Sequence, residues 1–221
     1  MKLLNLTYGA LAVLAIQGCN PRTQYNGPNV KDQIADKELC TLYKKDSTTI
    51  HTLMALQKPN DSVALYLYDL DISKAEGTVQ KLVSAQMLSR QQFEQESPKY
   101  KEKYTWKPFE GKEVLFVQIQ AKGINEKAVL EKRQDIEEEI GEALESSNIG
   151  EWIAGDIGPG GGNMLFEVKD INKSMSAIMG VLFQHKIERQ VVIGRRVKMD
   201  SNDWFYLVIY PATFSGLFNT M

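Results

Sequence analysis

The chain has 221 residues, of which 24% are charged and 43% are hydrophobic, a composition that is typical of a globular protein. The formal net charge of −2 at pH 7 argues against a nucleic acid as the partner, because nucleic-acid-binding domains are usually basic. The length allows one large domain or two small ones.

The first eighteen residues have the three parts of a secretory signal. Lys2 supplies a positive charge, Leu3 to Ile16 is mostly apolar, and the apolar stretch stops just before Cys19. The stretch is shorter than the ~20 residues that a membrane-spanning helix needs. A buried N-terminal helix is the alternative, but the polar residues after Cys19 would have to end that helix abruptly. Residues 1–18 are therefore predicted to be a signal peptide.

The run Ile16-Gln17-Gly18-Cys19 resembles the lipobox of bacterial lipoproteins. The resemblance implies cleavage after Gly18, lipid on the Cys19 thiol and acylation of the new amino group. In that family an Asp after the cysteine often retains the protein on the inner membrane. Here Asn20 follows, so the expected location is the cell envelope, lipid-anchored to the outer membrane and facing the periplasm. A plain signal peptide is the alternative.

Residues 19–36 are polar and contain prolines, a glycine and asparagines, so they predict a tether between lipid and folded body. If Cys19 carries lipid, Cys40 is left alone and no disulfide framework is expected. Within KELCTLYKK, Cys40 is interpreted as a small buried hydrophobic residue, with a reactive thiol as the alternative. The rest of the chain is divided into an N-terminal α+β module at 37–112 and a C-terminal module at 113–221.

The N-terminal half is predicted to have the order helix, hairpin, helix. The hairpin is the clearest part, because the apolar runs TTIHTLMALQ and SVALYLYDLD flank the turn residues 58–61. Apolar residues at helical spacing predict one helix within 30–45 and a second within 72–88, the latter capped by Asp71. Residues 97–112 are interpreted as a connector.

The C-terminal half is predicted to have the order β-α-β-β-α-β. Its predicted elements, in chain order, are EVLFVQIQA, the helix EKAVLEKRQDIEEEIGEAL, the strands GEWIAGDI and NMLFEVKD, the helix INKSMSAIMGVLFQHK, and the strands RQVVIGRRV and DWFYLVIYP. This order is the split βαβ, or ferredoxin-like, plan, with helices on one face of an antiparallel sheet.

A faint internal repeat extends this prediction to both halves. LYLYDLDISK (65–74) and LFEVKDINK (165–173) each end a predicted hairpin and begin a predicted helix. The predicted fold class is therefore α+β, with tandem ferredoxin-like modules. The stretch IGEWIAGDIGPGGGNMLFEVKD also resembles small uncharacterised bacterial domains that pair a DG-x-E-x-G-x-G hairpin with an Asp-led helix. That resemblance implies a fold rather than an activity.

The glycine-rich segment Gly155–Asn163 is the candidate partner-binding site. A phosphate loop would lie between a strand and a helix N-terminus and end in GK[ST], whereas this segment precedes a strand. It is interpreted as a flexible hairpin tip whose glycines permit close approach by a partner. The candidate partner-binding residues are Trp152, Asp156, Gly160, Gly161, Gly162 and Asn163.

Catalytic and metal-binding patterns are not evident in the sequence. His51 and His185 lack the spaced partners of a zinc site, and DLDISKAEGTVQ (69–80) fails the calcium-loop pattern at its sixth and twelfth positions. The acidic run 135–139 and the bases Arg189, Arg195, Arg196 and Lys198 are interpreted as solvated faces. We therefore expect no metal, no cofactor and a non-enzymatic protein-binding module, for example with an immunity or envelope-assembly role. The alternative is an envelope hydrolase with dispersed carboxylate and Lys/Arg residues.

Overall fold

A computed structural model describes residues 36–73, 77–120, 126–158 and 160–219. The predicted signal peptide, Cys19 and all of the predicted tether except Asp36 lie outside these residues. The described residues form two five-stranded antiparallel sheets and three α-helices, which confirms the α+β class. No helix within the described ranges has both the length and the apolar character needed to cross a membrane.

The N-terminal half is a four-stranded meander followed by one helix. Its elements are β1 (Lys37–Asp46), β2 (Thr49–Gln57), β3 (Val63–Asp71), β4 (Gly77–Leu88) and α1 (Arg90–Lys103). A fifth strand, β10 (Gly216–Asn219), comes from the end of the chain and pairs with β4, giving the order β1-β2-β3-β4-β10. The predicted hairpin is confirmed as β2 and β3.

Both helices predicted in this half are wrong, because the segments are the strands β1 and β4. In β4, Thr78 and Gln80 are buried and their neighbours are not, so burial follows the two-residue period of a strand. Asp71 ends β3 instead of capping a helix, and its carboxylate accepts hydrogen bonds from the backbone N–H and the hydroxyl of Ser73. The helix-hairpin-helix order predicted here is therefore wrong as well.

The helix α1 occupies part of the segment that was predicted to be a connector. It begins with a capping box, in which the Ser89 hydroxyl accepts from the Gln92 backbone N–H and the Gln92 side chain accepts from the Ser89 backbone N–H. Phe93 then packs on one face of the meander, against a cluster that includes Leu53 and Leu65. The helix thus covers the face of the N-terminal sheet that points away from the C-terminal half.

The C-terminal half contains the strands and helices predicted for it. They are β5 (Glu113–Gln120), α2 (Glu126–Ser146), β6 (Gly150–Gly158), β7 (Gly161–Val168), α3 (Ile171–Gln184), β8 (Val191–Lys198) and β9 (Trp204–Tyr210). The strand order is β6-β7-β5-β8-β9, with every neighbouring pair antiparallel. Asp170 caps α3, because its carboxylate accepts from the Lys173 backbone N–H at 3.0 Å.

The two sheets share one hydrophobic core. Buried residues of the meander, such as Met54 and Tyr68, belong to the same cluster as Ile140 of α2 and Leu207 of β9. The chain crosses back after β9, where the Tyr68 hydroxyl donates to the carbonyl of Ala212 at 2.6 Å. The boundary at 112/113 therefore separates the two sheets along the chain, except that β10 belongs to the N-terminal sheet.

Candidate functional site

The predicted loop Gly155–Asn163 is mostly strand. The ladder between β6 and β7 continues through the pairs Asp156↔Asn163 and Gly158↔Gly161, so only positions 159 and 160 connect the strands. The interpretation of Gly155–Asn163 as a hairpin tip was wrong for most of its length, because glycines weaken a strand but do not prevent cross-strand hydrogen bonding. The glycines of this hairpin therefore need an explanation other than a flexible loop.

These glycines let α2 and neighbouring side chains approach the hairpin closely. A Cβ atom at Gly155 would lie 1.9 Å from Oε1 of Glu137, and one at Gly162 would lie 3.1 Å from the Val129 side chain. Gly160 has no room either, because its Cβ would lie 2.4 Å from the Gln118 amide. Gly161 has φ 133°, a backbone conformation that other residues rarely adopt. Packing and backbone conformation thus account for these glycines.

A buried ion pair lies between α2 and the hairpin. Nη1 of Arg133 donates to Glu137 at 2.5 Å, and both side chains are largely buried. The indole N–H of Trp152 donates to the other oxygen of Glu137 at 2.6 Å, while Arg133 Nε has no hydrogen-bond partner in the described part of the chain. Glu137 belongs to the acidic run that was interpreted as a solvated face, and for this residue the interpretation was wrong. The i, i+4 spacing of Arg133 and Glu137 was the available signal.

The predicted site residues are divided between the two faces of the C-terminal sheet. Trp152 lies on the α2 side, as its bond to Glu137 shows. Gly162 also faces α2, so its neighbour Asn163 points to the opposite face. There the Asn163 amide donates to Asp156 at 2.7 Å and accepts from the buried Gln118 at 2.9 Å. Asp156 and Asn163 therefore belong to a polar row across the sheet and not to a surface shared with Trp152.

The surface that does emerge is the outer edge of β6, which is the first strand of the sheet order. Among the described residues no strand pairs with this edge. Trp152 and Ile153, adjacent on this strand, are 48% and 38% exposed. We call β6 together with these two side chains the β6 edge.

Carboxylates of α2 border the β6 edge. The Cα of Gly141 faces Trp152, since a Cβ at Gly141 would lie 3.8 Å from the Trp152 Cβ. Glu138 and Glu145 stand three residues before and four residues after Gly141, and therefore lie on the same side of the helix. Both are exposed, and neither forms an ion pair within the described ranges. The β6 edge thus combines exposed apolar surface with negative charge.

Two of the four bases that were expected to form a solvated face, Arg195 and Arg196, contact other side chains instead. Arg195 is largely buried and makes ion pairs of 2.6 Å with Glu113 and 3.1 Å with Glu38. Burial lowers the pKa of this guanidinium, but the hydrogen bonds that it donates to Glu113 and the negative charges around it outweigh burial and raise the pKa overall. The guanidinium of Arg196 lies over the ring of Trp204, 4.9 Å from its centroid, and donates a hydrogen bond to the Tyr206 hydroxyl.

Both histidines have carboxylate neighbours. His51 lies in β2 with Nδ1 2.6 Å from Asp69, and His185 follows α3 with Nε2 2.9 Å from Glu139. Within the residues described, no group of three or more His, Cys, Asp or Glu side chains is placed to hold a metal ion.

Cys40 lies in β1 and is partly exposed, not fully buried. Burial raises the pKa of its thiol, and the negative charge of Glu38 raises that pKa further, while Lys101 opposes both effects. A raised pKa leaves less thiolate at neutral pH, so the geometry favours the unreactive interpretation of this residue.

Comparison of the chain with protein-family models, with curated proteins and with solved structures finds no match. Trp152 is indicated by the sequence, whereas its nearness to Glu138 and Glu145 is not. Only the packing of α2 on β6 brings them together.

Proposed function

We propose that the protein is a bacterial cell-envelope lipoprotein, anchored by lipid on Cys19, which binds another protein through the β6 edge. We also propose that residues 113–210 form a ferredoxin-like unit. The strand order β8-β5-β7-β6, with α2 and α3 as the two connections, supports this second proposal. The observation that carries the binding proposal is the exposed pair Trp152 and Ile153 on an outer strand.

An outer strand offers unpaired backbone N–H and C=O groups on which an extended segment of a partner can add as a further strand. Proteins usually protect such edges with charges, prolines or a covering element. One of the two outer strands of the other sheet, β1, is protected in this way. It carries Lys37, Lys44 and Lys45, and the backbone N–H of Trp106 donates to the carbonyl of Tyr43 at 3.0 Å. β6 carries the exposed apolar side chains of Trp152 and Ile153 beside the exposed Glu151, and its pairing with β7 shifts register between Trp152 and Ala154.

The charge around the β6 edge indicates the kind of partner. The exposed carboxylates of Glu138 and Glu145 would repel an acidic segment and attract a basic one. An exposed indole ring adds a favourable contact for a lysine or arginine side chain. The proposed partner therefore contributes an extended, basic and partly apolar segment.

The anchoring part of the proposal is tested by Cys19→Ser. Growing cells are labelled with radioactive palmitate, and the expected result is label on the normal protein, with none on the variant, which stays uncleaved. Equal label on the two proteins would contradict lipidation at Cys19.

The binding part is tested by matched tryptophan variants, because Trp204 is exposed to almost the same extent (45%) on the opposite edge of the sheet. The full-length protein and its Trp152→Ala and Trp204→Ala variants are used to capture partners from solubilised envelopes. We expect Trp152→Ala, which removes the hydrogen bond to Glu137, to lower the free energy of unfolding by about 1–3 kcal/mol, and Trp204→Ala to lower it by about 1 kcal/mol, so capture is compared under conditions in which both variants are folded. Only Trp152→Ala should reduce capture, by roughly tenfold or more. Equal capture by both variants would contradict the proposal.

A further inference from the structure

A cleft of about 260 Å³ lies on the N-terminal sheet, beyond the end of α1 and away from the β6 edge. Three of its lining residues, Lys44, His51 and Asp69, occupy one row, because the register pairs Lys44 with His51 and His51 with Asp69. Lys103 and Tyr104, at the end of α1, form the opposite wall. Three strands and a helix terminus therefore bring these side chains to one place.

The row is held by a chain of charged contacts. His51 Nδ1 lies 2.6 Å from Asp69, and its Nε2 lies 3.3 Å from Asp46. Lys44 donates to the same oxygen of Asp46 at 2.9 Å. Asp46 and Asp69 therefore each have at least one basic partner, and both ring nitrogens of His51 face a carboxylate.

Lys103, unlike Lys44 and His51, has no carboxylate within ion-pair distance among the residues described. Its ammonium lies 5.8 Å from the centroid of the Tyr104 ring, and it makes no ion pair within the described residues. A fourth basic residue, Lys81, extends the row, since the register pairs it with Asp69. Among the residues that line the cleft, Lys44 and Lys103 outnumber Asp69, so the lining carries a net positive charge that attracts an anion.

Two features favour an anion with a single charge and an apolar body. Leu67, Val83 and the Tyr104 ring line the cleft and can contact hydrocarbon. The carbonyl end of α1 also points to this region, because α1 ends at Lys103, and the partial negative charge there disfavours a doubly charged phosphate. The volume lies just below the ~300–1,000 Å³ of typical ligand pockets, which indicates a small molecule.

We infer that this cleft binds a small apolar carboxylate, with the carboxylate on Lys103 and Lys44 and the apolar body against Leu67, Val83 and Tyr104. This site is independent of the protein partner proposed for the β6 edge. The carboxylate accepts charge-assisted hydrogen bonds from the two ammonium groups. His51 and Asp69 form the floor of the site and hold Lys44 in place through Asp46.

The two histidines of the chain make the test direct, because His51 lines the cleft and His185 lies outside it. The full-length protein without a histidine tag is titrated with benzoate in detergent at constant pH and ionic strength. Imidazole signals are followed by ¹H–¹⁵N NMR. We expect a saturable shift of the His51 signals with no shift of His185. Acetate lacks the apolar body and benzyl alcohol lacks the charge, so each should bind at least about fivefold more weakly.

Two lysine variants on the same helix complete the test. Lys103→Gln should weaken benzoate binding about fivefold, whereas Lys101→Gln should leave it unchanged, because residues two apart on a helix point in nearly opposite directions. Four results would overturn the inference: no saturable His51 shift up to about 20 mM benzoate, equal shifts of both histidines, equal loss in both variants, or tighter binding of inorganic phosphate than of benzoate.

Discussion

The two outer strands of the C-terminal sheet each carry an exposed tryptophan and differ in how their backbone is satisfied. Each outer strand carries a tryptophan that is nearly half exposed, Trp152 on β6 and Trp204 on β9. On β9 the backbone N–H of Tyr206 donates to the Thr78 hydroxyl at 3.2 Å. The Gln80 amide donates to the Val208 carbonyl at 3.1 Å and accepts from the Val208 N–H at 2.9 Å. On β6 no comparable cover exists among the residues described.

This difference shows that a side chain can close a sheet edge as a strand would. The Gln80 amide has one donor side and one acceptor side, as a peptide group has, so it satisfies both backbone groups of one residue. The β9 edge is therefore buried inside the shared core, while the β6 edge faces solvent. One edge joins the two sheets, and we propose that the other joins the protein to its partner.

The two tryptophans also differ in how far other side chains cover their rings. Trp204 carries a guanidinium on its face, since the Cζ of Arg196 lies 4.9 Å from the ring centroid. Arg196 in turn donates to the Tyr206 hydroxyl at 3.0 Å. Among the residues described, the one hydrogen bond of the Trp152 side chain is the bond from its N–H to Glu137, and its ring remains 48% exposed. Exposure alone therefore does not identify a binding surface.

The largest expected loss of stability is at β9, where the Gln80 side chain bonds the backbone of Val208. Gln80→Leu keeps the volume but leaves the N–H and C=O of Val208 buried without partners. We expect the free energy of unfolding to fall by about 2–4 kcal/mol, measured by denaturant unfolding. Gln86→Leu, an exposed glutamine of the same strand, is the control and should change stability by less than about 1 kcal/mol. Equal effects of the two substitutions would mean that the Gln80 amide does not close the edge.

A smaller loss of stability is expected where α2 packs against the β6 edge. In Gly155→Ala the new methyl group would lie 1.9 Å from Glu137 Oε1 and 2.3 Å from Arg133 Nη1, so the buried ion pair has to move. We expect a loss of about 2 kcal/mol in stability. Gly180→Ala in α3 is the matched control, because nothing lies within 4 Å of its added Cβ, and it should stabilise the helix by up to about 1 kcal/mol. A neutral Gly155→Ala would contradict the close packing of α2 on β6.

The smallest effect is local and is seen in amide hydrogen exchange. The N–H groups of Tyr206 and Val208 are bonded to Thr78 and Gln80, so they should exchange at least about tenfold more slowly than the amides of β6 that do not bond to β7. The measurement uses residue-resolved exchange on the free, full-length protein. Similar protection at both edges would show that the β6 edge is covered.

The sequence predicted the C-terminal half well and the N-terminal half poorly, for a physical reason. The apolar stripes of α2 and α3 recur over fourteen or more residues each, so their period is unambiguous. The residues Val79, Leu82, Val83 and Met87 have helical spacing by coincidence, and their segment is a strand because it pairs with β3 and β10. Such pairings depend on contacts that are distant along the chain. Only the Ser89 capping box offered a local signal for α1.

The candidate site was predictable only in part for the same reason. Trp152 stands beside a glycine-rich segment, but the sequence alone favours a core position for it, whereas its side chain is 48% exposed. Once Gly155–Asn163 is known to be mostly strand, the alternation of side chains along a strand places Asp156 and Asn163 on the face of the sheet opposite α2. The bond from Trp152 to Glu137 and the role of Gln80 join residues from different elements, which no local pattern indicates.

The most direct test of the central claim is photocrosslinking from the two edges in living cells. A photoreactive phenylalanine analogue is placed at Trp152, Ile153 or Trp204 of the full-length protein, and crosslinked products are separated after irradiation. We expect a discrete product of one size from positions 152 and 153, and none from position 204. The same product from position 204, or no product from 152 and 153, would contradict the proposal that the β6 edge binds the partner.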